Sequence, residues 1–231
     1  MTDVLEAAQT GDANEIKTAL AEGGNPNVCD KLGTTPLMLA AILDADLSAS
    51  AALIQAGAKV DTAQNDGMTA LFFAAAKARS TALVNLLLSQ GANINARDKR
   101  GISPLMFAAS LNPEPAIIEM LLDAGADLNA RDKDGLSALL WATKSNPNPA
   151  VAALLINSGA DIRQREDKFG ATPLMTAAKE NRNPQMIAVL LTMGAKVNRA
   201  TVNGFTPLML AAGKNRNPAV TEALLKGGAD V

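Results

Sequence analysis

The chain has no histidine and no tyrosine, and its 231 residues include one cysteine and one tryptophan. Without histidine, the Ser–His and Cys–His pairs used in nucleophilic catalysis cannot form, and one cysteine cannot supply a zinc site. The phosphate-binding patterns GxxxxGK[ST] and GxGxxG do not occur either. We therefore predict that the chain is not an enzyme and binds no metal and no cofactor.

The charge balance and the hydropathy pattern exclude further classes of function. With 21 basic and 23 acidic side chains, the net charge of −2 provides no general attraction to nucleic acid or to an anionic membrane. No apolar run approaches the roughly 20 residues that a membrane-spanning helix needs. The opening "MTDVLEAAQTGD" lacks the basic and apolar regions of a signal peptide. We expect no nucleic-acid partner, no membrane insertion and, because there is only one cysteine, a cytoplasmic location.

A repeated unit fills the chain. Six segments open with a glycine at spacings of 34, 34, 34, 35 and 34 residues: "GTTPLMLAA", "GMTALFFAA", "GISPLMFAA", "GLSALLWAT", "GATPLMTAA" and "GFTPLMLAA". A second phrase, such as "GADLNAR", closes each unit. This period indicates a stacked array, because a single unit of this size cannot bury its own apolar face.

The motifs distinguish between the two helical arrays that have a period near 34 residues. A tetratricopeptide array needs a Trp–Leu–Gly–Tyr pattern, which a chain without tyrosine cannot supply. The wording "TPL-x-x-AA" followed by "LL-x-x-GA-x-x-N" resembles the ankyrin-repeat family from Asp3 to Val231. The 34-residue form is similar to ankyrin proteins from bacteria.

The resemblance implies an all-α fold, an ankyrin-repeat solenoid of about seven helix-turn-helix pairs with β-hairpin-like fingers. We expect one domain, 1–231, with an N-terminal capping repeat at 1–29. The further repeats are expected at 30–63, 64–97, 98–131, 132–166, 167–200 and 201–231.

The residues of each unit predict the same local structure without the resemblance. Threonine followed by proline, as at Thr35 and Pro36, predicts the start of a first helix. The extra residue of the 34-residue period lies in the turn between the two helices, where asparagine is expected to take the left-handed conformation. Proline is then expected to begin the second helix, and these positions are Pro115, Pro149, Pro184 and Pro218.

Two sets of residues are candidate metal ligands, and for both we favour a structural interpretation. Asp132 and Asp134 lie in a turn that weakly resembles a calcium loop, but Trp141 stands where the closing glutamate would be. We expect both carboxylates to be open to water at a finger tip, and Cys29 is likewise expected to be exposed. The thioethers at the fifth position after the repeat glycine are predicted to fill the core, which would make the repeat junctions apolar and insensitive to pH. These residues are Met38, Met106, Met175 and Met209.

The ankyrin resemblance implies that partners bind a concave face formed by the first helices and the fingers. Large apolar residues recur at two positions of that face in the middle repeats, and lysines lie near the ends of the first helices. The predicted partner-binding residues are Met68, Phe73, Ile102, Phe107, Leu136, Trp141, Lys144, Lys179, Phe205 and Lys214. Structural alternatives stay open, because the aromatic residues can pack between helices and lysines can complement the helix dipole.

We interpret the chain as a non-catalytic module that binds a protein partner of unknown identity, as a monomer or as part of a longer chain. A structural spacer in a larger protein, without a dedicated site, is the first alternative. A small-molecule pocket lined by the aromatic residues is the second.

Overall fold

The computed structural model describes residues 3–79 and 81–231, and this part of the chain is built from short α-helices in consecutive pairs. The first helix of each pair is followed by a short turn and the second helix by a longer extended segment. The described residues contain fourteen helices and no β-strand, which gives the seven pairs expected for an all-α repeat fold. The helices are α1 (Val4–Thr10), α2 (Ala13–Ala21), α3 (Pro36–Ile42), α4 (Leu47–Gln55), α5 (Ala70–Lys77), α6 (Ala82–Ser89), α7 (Pro104–Leu111), α8 (Pro115–Asp123), α9 (Ala138–Ser145), α10 (Pro149–Asn157), α11 (Pro173–Glu180), α12 (Pro184–Thr192), α13 (Pro207–Lys214) and α14 (Pro218–Lys226).

The predicted Thr-Pro helix starts are confirmed. The hydroxyl groups of Thr35 and Thr172 accept hydrogen bonds from the amides three residues later, at 3.3 and 3.4 Å. These amides would otherwise have no partner in the helix, and proline fits the first helical position because it has no amide hydrogen. In α11 the Sδ atom of Met175 also accepts from the Thr172 amide at 3.3 Å, so the methionine takes part in capping its own helix.

Four of the seven second helices, α8, α10, α12 and α14, begin at the predicted prolines, and a glycine with a left-handed backbone follows each second helix. Gly159 has a φ of 104° after α10, and the Ala160 amide donates back to the Leu155 carbonyl at 2.9 Å. This arrangement uses carbonyl groups that the helix end leaves without a partner, and it favours glycine because other residues are strained at positive φ.

The described residues form two compact units. The first unit runs to Pro104 and includes Asp123–Ala126, and the second consists of Leu105–Leu122 and Asp127–Val231. In the first unit, α1, α3 and α5 pack in one row and α2, α4 and α6 in another. In the second unit, α9, α11 and α13 form one row and α10, α12 and α14 the other. Fully buried alanines such as Ala40 and Ala177 allow the helices of a row to approach closely.

The methionine series is core filling at three positions, as predicted. Met38, Met106 and Met175 are at most 1% exposed, so their thioethers are packed against neighbouring side chains. The prediction is wrong for Met209, which is 56% exposed. Met209 lies on α13, and among the described residues no further helix pair packs on α13 beyond its contacts with α11 and α14.

This difference gives a matched pair of substitutions. Met175→Ala removes a buried side chain and a capping contact, and should lower the free energy of unfolding by about 2–5 kcal/mol. Met209→Ala removes an exposed side chain of the same chemistry and should cost less than about 1 kcal/mol. Urea denaturation followed by circular dichroism measures both, and similar losses for the two variants would contradict the assigned burial.

Asparagine side chains in the turns make buried polar contacts between repeats, and the prediction of apolar junctions is therefore wrong. Asn181 is buried, and its Nδ2 donates to the carbonyl oxygens of Thr143 and Asn146 at 3.1 and 3.0 Å. Asn146 and Asn215 make the same two bonds to the repeat that precedes each of them. Carbonyl groups left free at the end of one first helix are thus bonded by the next repeat.

The backbone of these asparagines is extended, not left-handed as we had predicted. Asn146 has φ −69° and ψ 130°, and Asn181 has φ −81° and ψ 130°. With this extended backbone the side-chain amide reaches the carbonyl groups of the preceding turn. A second asparagine two residues later caps the second helix and also donates to a carbonyl of the preceding turn, as Asn183 does to Pro147 at 2.9 Å.

Asn181→Ala should therefore destabilise the fold well beyond an ordinary polar substitution. The change removes two buried hydrogen bonds and leaves two carbonyl groups without a donor, which corresponds to about 2–4 kcal/mol. Asn157→Ala is the matched control, because Asn157 is exposed at the end of α10, and it should stay within about 0.5 kcal/mol of the wild type. A loss at Asn181 as small as that at Asn157 would show that the bonds between repeats contribute little.

Candidate functional site

The fingers are tight turns closed by two backbone hydrogen bonds, and these turns position the residues of the predicted binding face. In the finger that begins at Asp132, its amide donates to the Leu136 carbonyl and the Gly135 amide donates to the Asp132 carbonyl, both at 3.0 Å. The same pair of bonds joins Asp98 to Ile102 and Gly101. The fingers thus have a hairpin-like closure although they contain no β-strand.

Asp132 is 8% exposed, so the prediction that it is open to water is wrong. Its Oδ1 accepts from the amides of Asp134 and Leu136, both at 2.9 Å, and its Oδ2 accepts from the indole Nε1 of Trp141 at 2.9 Å. Three donors therefore compensate for the burial of this carboxylate. Asp134 is exposed, as predicted.

Trp141 is held on two sides in the second unit. Besides the bond from its indole to Asp132, its ring centroid lies 5.0 Å from the Nζ atom of Lys144, within the range of a cation–π contact. The same Nζ lies 3.6 Å from Oε2 of Glu180, and the other oxygen of Glu180 lies 3.1 Å from Nζ of Lys179. The ring remains half-buried, so an oriented aromatic surface is partly open to solvent.

The other predicted residues differ in how much surface they can offer. In the first unit, Met68 and Phe73 are half-buried, whereas Ile102 is only 4% exposed and has little surface for a partner. In the second unit, Phe107 and Leu136 are half-buried and Phe205 is 50% exposed. The residue types in the repeat could not reveal this difference, because it depends on how far the next finger covers each position.

The predicted lysines lie where the sequence placed them. Lys144, Lys179 and Lys214 are in the last turns of α9, α11 and α13, where a cation interacts favourably with the helix dipole. Lys214 is exposed, whereas Lys144 and Lys179 pair with Glu180.

The structure shows two surface features that comparison of the repeats in the sequence did not predict. A cleft of about 570 Å³ lies at the ends of α9 and α11, and its lining residues are Lys144, Ser145, Pro147, Glu180, Asn181, Arg182 and Asn183. In the last two fingers, Phe169 and Val202 are 45% and 72% exposed, and the Val202 amide donates to the Phe169 carbonyl at 3.2 Å. Phe169 and Val202 are not shared by the other fingers, and the cleft combines residues of two successive turns, so comparison of equivalent positions alone reveals neither feature.

Two kinds of site were not found among the described residues, a metal cluster and a membrane-spanning helix. Within residues 3–79 and 81–231 there is no cluster of three or more histidine, cysteine, aspartate or glutamate side chains able to hold a metal ion. No helix in that part of the chain is both long and apolar enough to cross a membrane. Cys29 is exposed, as predicted.

The comparisons with known proteins agree on one family. A family model described as ankyrin repeats (3 copies) matches residues 4–98, 75–166 and 146–231. The chain is 42% identical over 59 residues to the putative ankyrin repeat protein YahD of Escherichia coli (strain K12). That match covers 26% of this chain and 29% of YahD, so the chain spans less than a third of that relative's length.

A solved structure extends the agreement to the whole chain. The crystal structure of the human ASB11 ankyrin repeat domain superposes with a TM-score of 0.82 at 27% sequence identity, and the match covers 100% of both chains. The resemblance that was inferred from the "TPL-x-x-AA" and "GA-x-x-N" motifs is thereby confirmed, and the bacterial relative agrees with the predicted similarity to bacterial proteins.

Because the chain has no histidine, its stability should be nearly constant between about pH 6 and 8. At acid pH, by contrast, the stability is expected to depend on pH. The backbone amide of Thr34 holds the pKa of Asp30 below its ordinary value of 3.8, although burial opposes this. A hydrogen bond with the side chain of Ser48 likewise holds the pKa of Asp46 below its ordinary value.

A carboxyl group with a lowered pKa in the folded state stabilises the protein above its unfolded pKa, and this contribution is lost as the pH falls through the folded value. We therefore expect thermal melts to show a flat region at neutral pH and a fall below about pH 4. The double variant Asp30→Asn, Asp46→Asn should reduce the acid fall and leave the neutral region unchanged. A steep slope between pH 6 and 8 would contradict this prediction.

Proposed function

We propose, because the chain belongs to the ankyrin-repeat family, that it is a non-catalytic module that binds a protein partner on the face formed by its first helices and fingers. Proteins of this family are in general interaction modules without catalytic activity. The described residues also contain no cluster of metal-ligating side chains, and no catalytic pair that uses histidine can form. We further propose that residues 1–231 act as one domain with the repeat boundaries given above.

The single observation that carries the proposal is the fixed orientation of Trp141. Its indole N–H is already bonded to the buried carboxylate of Asp132, and Lys144 lies over its ring. A partner that covers the ring therefore need not supply a polar group to the indole or restrict its rotation. Large aromatic side chains that are ordered before binding are frequent anchors of protein interfaces.

The fold does not require a tryptophan at position 141. The equivalent place, six residues after the repeat glycine, holds Leu39, Thr176 or Leu210 in other repeats that form the same helix pairs. The tryptophan is therefore available for a role in binding in addition to its packing. We propose that its exposed ring is the centre of the binding surface.

The remaining surface is proposed for each unit by itself. In the second unit it comprises Phe107, Leu136 and Phe205 around Trp141, with the lysines at the ends of α9, α11 and α13 at its edge. In the first unit it comprises Met68 and Phe73, and Ile102 contributes only through its packing because it is buried.

A small-molecule pocket is the less favoured alternative. The cleft at the ends of α9 and α11 has no aromatic residue among those that line it, so it is not the pocket of aromatic side chains that this alternative requires. A spacer without a dedicated site is the remaining alternative, and the experiment below separates it from a binding module.

The proposal is tested by comparing Trp141→Ala with a control variant on the second helices. Proteins captured from the source cells by the wild type are purified, and the dissociation constant of each is measured with both variants. Trp141→Ala should weaken binding at least about tenfold, because truncation of a central anchor commonly costs more than 1 kcal/mol. Leu225→Ala also removes an exposed apolar side chain, on α14, and should leave the affinity unchanged.

The fluorescence of the only tryptophan provides a second measurement. On addition of the purified partner the emission of Trp141 should shift to shorter wavelength, and acrylamide should quench it less. Circular dichroism of both variants shows whether the helices are intact. If no captured protein depends on Trp141, the spacer interpretation is favoured and the proposed surface is wrong.

A further inference from the structure

A row of cations follows the turns of the second unit. We call Lys144, Lys179, Arg182, Lys214 and Arg216 the basic turn row. Three of these residues lie in the last turns of first helices, and the two arginines lie just beyond the helix ends. The only carboxylate within these turns is that of Glu180, so the row has a strong excess of positive charge in a chain of net charge −2.

The two arginines are not required by the turn. The turn reads Asn-x-Asn-Pro in the last three repeats, and x is Pro147, Arg182 and Arg216. The turn after α7 also has proline at this place, Pro113. Proline and arginine therefore form equivalent turns, and stabilisation of the helix dipole does not explain cations that lie outside the helices.

The backbone that carries Arg182 is fixed on both sides. Asn181 donates to two carbonyl oxygens of the preceding repeat, and Asn183 donates to the carbonyl of Pro147 at 2.9 Å. The Arg182 side chain itself is exposed. A cation on a rigid turn loses less conformational freedom on binding than one on a mobile loop.

The cleft at the ends of α9 and α11 shows how the row receives a carboxylate. Lys144, Glu180 and Arg182 all line this cleft. The Glu180 carboxylate lies between two ammonium groups, 3.1 Å from Lys179 and 3.6 Å from Lys144. Among the residues that line the cleft, the two cations Lys144 and Arg182 outnumber the single carboxylate of Glu180, so the cleft keeps a positive charge that attracts a further carboxylate.

We propose that the basic turn row binds an extended acidic segment of the protein partner, with a carboxylate at about every third residue. The Asn217 side chain bonds the Arg182 carbonyl at 2.6 Å, so equivalent turns are direct neighbours. Packed helices lie about 8–10 Å apart, which sets the step between equivalent cations. Three residues of an extended chain span about 10 Å, so acidic side chains at every third position match this step.

An acidic protein segment fits the row better than a nucleic acid does. The cleft has no aromatic residue on which a base could stack, and the face of Trp141 nearest to the row is in contact with Lys144. The inference rests on the proposed function, since it names the chemistry of the protein partner, and it concerns the edge of the proposed surface and the turns beyond it, not the ring of Trp141.

The test uses the full chain and a labelled peptide with three glutamates at every third position among glycine and serine. Fluorescence anisotropy at low salt should show binding, and Arg182→Glu should weaken it by about tenfold or more, because charge reversal replaces attraction with repulsion. Lys196→Glu is the matched control, since Lys196 is an exposed cation of the same unit and lies beyond the end of the nine-residue helix α12 that is opposite the turn, which places it more than about 13 Å along the helix axis from Arg182. This control should change the affinity by less than about twofold, because salt screens the interaction between the peptide and a charge more than about 10 Å away.

Two further probes decide between the outcomes. A peptide with three adjacent glutamates should bind several-fold more weakly, and single-stranded DNA of equal charge should bind more weakly still. Absence of peptide binding, equal weakening by both charge reversals, or tighter binding of the DNA would overturn the inference. If peptide binding fails while capture of a protein partner still depends on Trp141, only the inference about the basic turn row is wrong.

Discussion

The contact between neighbouring repeats is the interaction on which the rest of the structure depends. A single pair of helices of seven to nine residues cannot bury its apolar face, so each repeat is stable only against another. The junctions combine close packing of alanine and methionine with hydrogen bonds from turn asparagines such as Asn146 and Asn181. The amides fix the distance and rotation between repeats, which packing of small side chains alone specifies poorly.

The same amides link the scaffold to its surface. Because Asn181 and Asn183 are bonded on both sides of Arg182, the turn presents its cation from a fixed position. At the other end of the repeat, the buried carboxylate of Asp132 organises its finger and also holds the indole of Trp141. In both places a side chain that stabilises the fold also orients a side chain that is available for binding.

Polar groups that do not titrate near neutral pH perform the stabilising roles in the turns. Amides and hydroxyl groups bond the repeats and cap the helices, and the chain has no histidine. The exposed charged side chains of the turns and fingers can be reached by a partner, whereas the buried carboxylates of Asp98 and Asp132 are bonded within their fingers. This separation allows binding to depend on salt while the stability of the fold changes little between pH 6 and 8.

The sequence by itself determined the family, the fold class, the helix starts and the burial of three of the four methionines, because these follow from local chemistry repeated every 34 residues. It led to wrong expectations for Asp132, for the turn asparagines and for Met209. The donors to Asp132 come from its finger and from α9, the acceptors for Asn181 lie in another repeat, and the exposure of Met209 depends on what packs against α13. Only the tertiary structure decided these points, because the pattern of residue types does not show how each finger folds around its first residue or which elements cover a side chain, and the acceptors of Asn181 are 35 and 38 residues away in the chain.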